Sequence, residues 1–322
     1  MRDRTGNAAS QARRDKILAM LTSDDEAASR LRRLAAIPLQ PVGAPTGRGA
    51  GWNAVRTIVA RRRLLGLLVR RDLKAKYKDS TLGFLWSLIR PLIQLAVYFV
   101  VMGQFLGAAK NIPDFAVYVF AGLSILGLFT EIVTGGTSSV LANGGLVKKV
   151  YLPREVFPLS SVGSATFNFA IQLIVLLAAT FLVGKPPAHI QVLYAIPSFL
   201  VIIVYGTALA LLFSAINVYL RDTQYLVEVI TMLLFWASPV VYSWEMVKTL
   251  VSSPALLEVY TDNPLTLAVL GFQRAFWVAG DDHMWPGGLL IRLAVALLVG
   301  IVLLIVCHRV FLRLQGNFAQ EI

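Results

Sequence analysis

The sequence predicts an all-α integral membrane protein: six transmembrane helices per protomer, preceded by an amphipathic interface helix. Three observations lead there. Hydrophobic residues make up 57% of the 322 and charged residues 15%, where a soluble domain averages about half and about a quarter. Mean hydropathy is +0.67, and a chain this apolar could not cover its surface in water. Uncharged runs of membrane length recur along it, and Lys and Arg gather at alternate ends of those runs.

A bilayer core about 30 Å thick needs about 20 apolar residues in a helix, and backbone in lipid must close its own hydrogen bonds. Runs of that length fall near 84–107, 115–138, 160–183, 192–218, 225–243 and 287–308. The fifth is the shortest, and Pro239 is expected to kink or end it. Six such runs argue against the buried core helices of a large soluble enzyme.

Charge orients the helices. With the N-terminus inside, the inner flanks carry Arg61, Arg62, Arg63, Arg70, Arg71, Lys74, Lys76, Lys78, Arg90, Lys148, Lys149, Arg154, Arg221, Arg309 and Arg313. The outer flanks carry only Lys110, Lys185, Lys248, Arg274 and Arg292. The positive-inside rule selects this orientation, with both termini cytoplasmic. It also accounts for the net charge of +12, which on a soluble protein would point to nucleic acid. No nucleic-acid partner is expected.

Residues 1–55 read as a polar cytoplasmic extension, with a helix near 10–36 and a flexible Pro/Gly-rich linker at 38–51. The apolar run Ile17–Leu21 is too short for a signal-peptide core. Cys307 is the single cysteine, so no intrachain disulfide forms. His189, His283 and His308 are too scattered to hold a metal.

The segment 57–80 precedes the first span. Leu65, Val69, Leu73 and Tyr77 repeat every four residues, and Arg70, Lys74 and Lys78 form a second row. A helix lying in the membrane interface would turn the apolar row to acyl chains and the basic row to headgroups. Asp72 and Lys76 intrude near the apolar row. The same residues would also serve as a plain basic anchor that sets topology.

Between the second and third spans lies a cytoplasmic loop, 141–159. Asn143, Gly144 and Gly145 open it and Pro153 ends its helical part, leaving about two turns that carry Leu146, Val147, Lys148, Lys149, Val150 and Tyr151. A short helix apolar on one side either docks on a partner or packs on its own protein. The segment 244–286 between the last two spans is too interrupted by Pro254, Pro264, Asp262, Asp281 and Asp282 to cross a membrane. It is rich in aromatics, among them Trp244, Tyr260, Phe272 and Trp277. Such residues form an anchoring belt at a membrane surface or stack on the flat C–H faces of sugar rings.

Several motifs occur together, in order. Arg71-Asp-Leu-Lys-Ala-Lys-Tyr-Lys-Asp-Ser-Thr-Leu-Gly-Phe-Leu-Trp-Ser-Leu-Ile-Arg-Pro-Leu92 is followed by Leu146-Val-Lys-Lys-Val-Tyr-Leu-Pro-Arg-Glu-Val-Phe-Pro158. Then come Asn217-Val-Tyr-Leu-Arg-Asp222, Ser238-Pro-Val-Val-Tyr242, Asn263-Pro-Leu265 and Gly316-Asn-Phe-Ala-Gln-Glu-Ile322. Over 56–322 the chain resembles the permease subunits of ABC exporters of polysaccharide, O-antigen and teichoic acid.

The resemblance implies a homodimer of six-helix subunits in the bacterial cytoplasmic membrane. Each would pair with a separate nucleotide-binding subunit in a 2:2 complex that exports a polyprenyl-diphosphate-linked glycan. ATP and Mg would be bound by that partner, with no cofactor, metal or catalytic residue in this chain. The interface helix and the coupling loop at 141–159 would contact the ATPase, through Leu146, Val147, Lys148, Lys149, Val150 and Tyr151. The segment 244–286 would form outer gate helices, with Trp244, Tyr260, Phe272 and Trp277 on the glycan path. Arg70, Arg71, Lys74 and Lys78 would attract the diphosphate headgroup. The cargo is open between O-antigen, teichoic acid and, from the Ala- and Arg-rich tail, a cell-wall galactan.

The chain carries no Gly-x-x-x-x-Gly-Lys-Ser/Thr, so the phosphate-cradling loop of an ATPase is missing. The rival is an ion-coupled carrier using Glu131, well inside the second span, with Glu228 in the fifth. No inverted repeat or matched pair of broken helices supports it. A membrane-embedded transferase would need clustered carboxylates and a metal, and only Asp281-Asp282-His283 comes near that.

Overall fold

The computed structural model describes residues 56, 62–77, 85–105, 107, 112–149, 152–280 and 284–322. The chain divides into a unit Met1–Gly43 and a unit Ala44–Ile322, and every described residue belongs to the second. The predicted extension 1–55 lies outside the described residues, as do the outer parts of the interface segment, Lys78 included.

Among the described residues there is no β-strand. Helix α1 is Arg62–Tyr77, and α2, Trp86–Tyr98, continues as wider π-helical turns over Phe99–Phe105. Next come α3 (Phe115–Ala142), the short α4 (Gly144–Lys149), α5 (Val156–Leu182), α6 (Ala195–Tyr219) and α7 (Thr223–Trp236). Three helices follow at the far end: α8 (Trp244–Leu250), α9 (Pro254–Thr261) and α10 (Pro264–Phe276). The chain closes with α11 (Leu289–Leu314) and the single turn α12 (Phe318–Glu321).

Among the described residues, five stretches are long and apolar enough to cross a membrane: Trp86–Phe105, Phe115–Ala142, Val156–Leu182, Ile190–Tyr219 and Leu289–Asn317. The predicted fifth span is shorter than its apolar run. Helix α7 stops at Trp236 after 14 residues, about 21 Å at 1.5 Å per residue. Pro239 explains the stop, since proline lacks an N–H and disfavours helical backbone before it. The carbonyls freed there are satisfied from inside the protein. Tyr118 Oη donates to the Pro239 and Tyr242 carbonyls at 3.2 and 2.9 Å, and Gln273 Nε2 donates to Pro239 O at 2.9 Å. Non-helical backbone at such depth survives only when protein supplies the missing partners.

Helix α3 is the axis of the molecule, packed against α5, α6 and α10. Small residues set its closest approaches. Gly136 abuts Ala210 of α6, and a Cβ on Gly206 would lie 2.9 Å from Ile132, as expected where helices associate by close backbone packing. The hydroxyls of Ser124, Thr130, Thr134 and Thr137 donate back to carbonyls four residues earlier. That leaves polar side chains satisfied in an apolar surrounding. Asn217 Nδ2 ties α6 to the Thr137 carbonyl at 3.1 Å.

A second core lies at the basic end. Leu68 of α1 is buried with Val140, Val147, Val156, Phe157, Phe311 and Phe318, and Leu64 and Leu65 pack against that cluster. Val69 sits over Gly163 of α5, where a Cβ would come within 2.7 Å. Of the row expected to face acyl chains, Leu65, Val69 and Leu73 are half-buried, with Leu65 against this core and Val69 against α5. Burial of Leu68 contributes about 2 kcal/mol relative to leaving it exposed. Asp72, an intruder in the sequence pattern, accepts a hydrogen bond from Ser160 Oγ of α5 at 2.9 Å, so it fastens the helix to that surface. Glu155, buried beside this core, has its carboxyl pushed up by burial.

Candidate functional site

A cavity of about 980 Å³ opens between the C-terminal end of α1 and helices α2, α3, α5 and α7. Helical periodicity builds it. Trp86, Ser87, Arg90, Pro91, Gln94 and Tyr98 recur along one face of α2, and Leu123, Gly127, Thr130, Glu131 and Thr134 along one face of α3. Asn168 and Gln172 face it from successive turns of α5, and Glu228, Thr231, Met232, Phe235 and Trp236 from α7. The result is a polar, hydrogen-bonding stripe with aromatic rings among helices whose other faces are apolar.

One cluster organises its charge. Glu131 Oε1 accepts from Lys76 Nζ at 2.8 Å and from Asn168 Nδ2 at 2.6 Å. Three elements thus meet on a single carboxylate oxygen: α1, α3 and α5. The pair is partly exposed, the Lys76 side chain 51% and that of Glu131 33%. Glu228 accepts from Gln224 Nε2 at 3.0 Å, and Arg90 contributes a second cation to the lining.

The predicted headgroup residues are placed elsewhere. Arg70 and Lys74 are exposed on α1 and do not line the cavity. Arg71 donates to Asp72 Oδ1 and to Asn143 Oδ1, the latter at 2.7 Å, which ties α1 to the C-cap of α3. Lys78 lies outside the described residues. Lys76 is the α1 cation that reaches the cavity.

The predicted coupling residues split. Val147 is buried and Leu146 partly buried in the core at the basic end, and Gly144 packs on Ile322, where a Cβ would come within 2.5 Å. Lys148 and Lys149 are exposed. Val150 and Tyr151 lie outside the described residues.

At the opposite end, the predicted glycan-path aromatics fill the cap made by α8, α9 and α10. Trp244, Phe272 and Trp277 are buried. Trp244 Nε1 donates to Thr261 Oγ1 at 2.9 Å, and Trp277 Nε1 to the Pro113 carbonyl at 2.6 Å. Tyr260 Oη reaches Tyr242 Oη at 3.3 Å. Arg292 of α11 pairs with Glu258 of α9 at 2.6 Å and with Asp262 at 2.5 Å. Hydrogen bonding to Arg292 holds the Glu258 carboxyl below its ordinary range. The aromatic rings in the cavity are different ones: Trp86 and Trp236, half exposed, with Tyr98 and Phe235 between them in sequence, their rings tilted by 36° at 5.9 Å.

Residues 63–277 match the family model described as ABC-2 type transporter. The chain belongs to that family. An ABC-2 permease works with an ABC ATPase subunit, so this permease is a transport subunit with an ATPase partner. It is 31% identical over 268 residues to the O-antigen export system permease protein RfbA of Myxococcus xanthus, covering 83% of this chain and 98% of the relative. It is 27% identical over 258 residues to the protein of the same name from Klebsiella pneumoniae, covering 80% and 94%.

Proposed function

We propose that this ABC-2 permease is the membrane subunit of an exporter that carries a polyprenyl-diphosphate-linked glycan across the bacterial cytoplasmic membrane, driven by ATP hydrolysed in its partner subunit. The observation that carries the reading is the cavity, together with the O-antigen export permeases among the relatives. A lining of amides, hydroxyls and carboxylates with Trp86, Tyr98, Phe235 and Trp236 interleaved suits a polyhydroxylated chain. Sugar hydroxyls exchange hydrogen bonds with such groups, and their C–H faces lie against the rings.

A homodimer fits the surfaces that flank the cavity. Leu92, Ile93 and Val97 of α2 and Tyr225, Val229 and Leu233 of α7 are exposed large hydrophobic side chains. A second copy meeting these helices would turn the groove into an enclosed path while the lipid tail stays in the bilayer. The exposed Lys148 and Lys149 on α4 and the basic face of α1 would offer the ATPase its contact. Against the ion-coupled alternative stand the ABC-2 family match and the bonds from Lys76 and Asn168 that engage Glu131.

Deletion of the gene tests the proposal. Lipid-linked glycan should accumulate on the cytoplasmic leaflet, protected from added glycosidase, and the accumulated species identifies the cargo as O-antigen, teichoic acid or galactan. Normal surface glycan in the deletion strain, with no lipid-linked intermediate inside, would refute export by this protein.

A further inference from the structure

We infer that Lys76 and Arg90 form a binding site for a phosphate or diphosphate group in the cavity, and that Glu131 pairs with Lys76 in that anion's stead when the site is empty. The inference rests on the exporter reading and names where the anionic head of its cargo would be held.

The surroundings of Lys76 carry it. Lys76 stands in the last turn of α1 and points into the cavity, whereas Arg70 and Lys74 on the same helix do not line it. Its partner comes from 55 residues away, on the buried helix α3. An ammonium at the edge of apolar helices is stabilised by a paired anion, and Lys76, half exposed, can turn to either of two. Glu131 supplies one built into the protein, and a ligand phosphate would supply another.

The carboxylate is prepared for the exchange. The oxygen that accepts from Lys76 also accepts from Asn168 at 2.6 Å, so Glu131 keeps a hydrogen-bond donor after Lys76 swings away. The lysine is free to swing: its side chain is 51% exposed, and its four-carbon stem is flexible. Asn168 is buried, which fixes the carboxylate rather than the ammonium. Arg90 adds a planar donor fork suited to phosphate oxygens.

Opposite signs test the exchange. The full chain in nanodiscs is titrated with geranylgeranyl diphosphate and, separately, with inorganic pyrophosphate. Lys76→Gln should weaken binding about tenfold, as loss of a charge-assisted contact does. Glu131→Gln should tighten it about fivefold, because the internal competitor is gone and Asn168 still finds an acceptor; that change equals about 1 kcal/mol. Should Glu131→Gln not fold, Glu131→Asp draws the carboxylate back from Lys76 and should tighten binding in the same direction. Binding of the prenyl form alone identifies a lipid headgroup as the source, and binding of both forms identifies a general anion site.

A pair that serves only to hold α1 to α3 would lower the thermal midpoint in both variants and leave the affinities equal to wild type. That result overturns the inference, as does weaker binding in Glu131→Gln or no binding by wild-type protein. A wild-type chain that supports glycan export while the two variants behave alike would remove this site and leave the exporter reading standing.

Discussion

Helices α2 and α3 look alike in hydropathy and have opposite surroundings. Both are apolar enough to span, yet most of the apolar stretch of α3 is buried inside the protein and almost none of that of α2 with its π-helical continuation is. α3 packs by small residues at Gly136 and by hydroxyls turned back on their own backbone. α2 turns Ser87, Arg90 and Gln94 to the cavity and leaves Ile93 and Val97 bare. Hydropathy reports that a segment leaves water. Whether it enters protein or lipid is decided by residue size and by where the polar stripe runs.

That contrast can be broken by substitution. The largest effect is expected in α3. Ile132→Ala would leave a void at a fully buried position against Gly206 and should cost about 2–4 kcal/mol. Ile93→Ala on α2, at a side chain 56% exposed on the single subunit, should change the stability of detergent-separated subunits by less than about 0.5 kcal/mol. Thermal unfolding of the two variants in one detergent compares them directly. Equal destabilisation would mean that α2 is as packed as α3.

A smaller effect is expected at the cap. Glu258 is held below its ordinary value of 4.5 by hydrogen bonding to Arg292. A depressed carboxylate contributes its stabilisation above the unfolded value and loses it as pH falls through the folded one. Proteolysis within α9 should therefore accelerate only below pH 4.5 in wild type. Arg292→Ala should cut faster at neutral pH and lose that dependence. Identical cleavage of the two proteins at pH 7 would show that the ion pairs do not hold the cap.

The smallest effect is expected at α4. Val147→Asp would place a charge in the basic-end core and unfold it, so it cannot report on a partner. Lys148→Glu with Lys149→Glu changes only exposed side chains. It should weaken ATPase association several-fold at low salt and less at high salt, measured by pull-down. Unchanged recovery at low salt would place the contact elsewhere.

Most of the fold was legible because lipid restricts the choices. Long apolar runs must be helices, and five of the predicted spans are present as such. The end of α7 followed from Pro239. The partners that make the break tolerable, Tyr118 and Gln273, lie 121 and 34 residues away from it in sequence. The site was less legible. Averaging over a window hides a one-sided stripe, so Gln94, Thr130, Thr134 and Gln172 were passed over, though their helical spacing would have shown it. Lys76 and Asp72 spoiled an amphipathic pattern drawn for a lipid surface, and the structure gives each a partner on the protein. The aromatics of the 244–286 segment were conspicuous in composition, but composition does not distinguish a ring that packs from one that waits for a ligand.

The central claim is that cargo passes through the cavity between α2, α3, α5 and α7. The most direct measurement places a single cysteine at Gln94 in a Cys307→Ser background, or at Leu298 on the exposed face of α11 as control. Each is modified in cells with a bulky thiol reagent, and glycan export is followed afterwards. Modification at 94 should stop export with protein level and ATPase binding unchanged, while modification at 298 should leave export as it was. Full export through a protein quantitatively modified at 94 would contradict the claim.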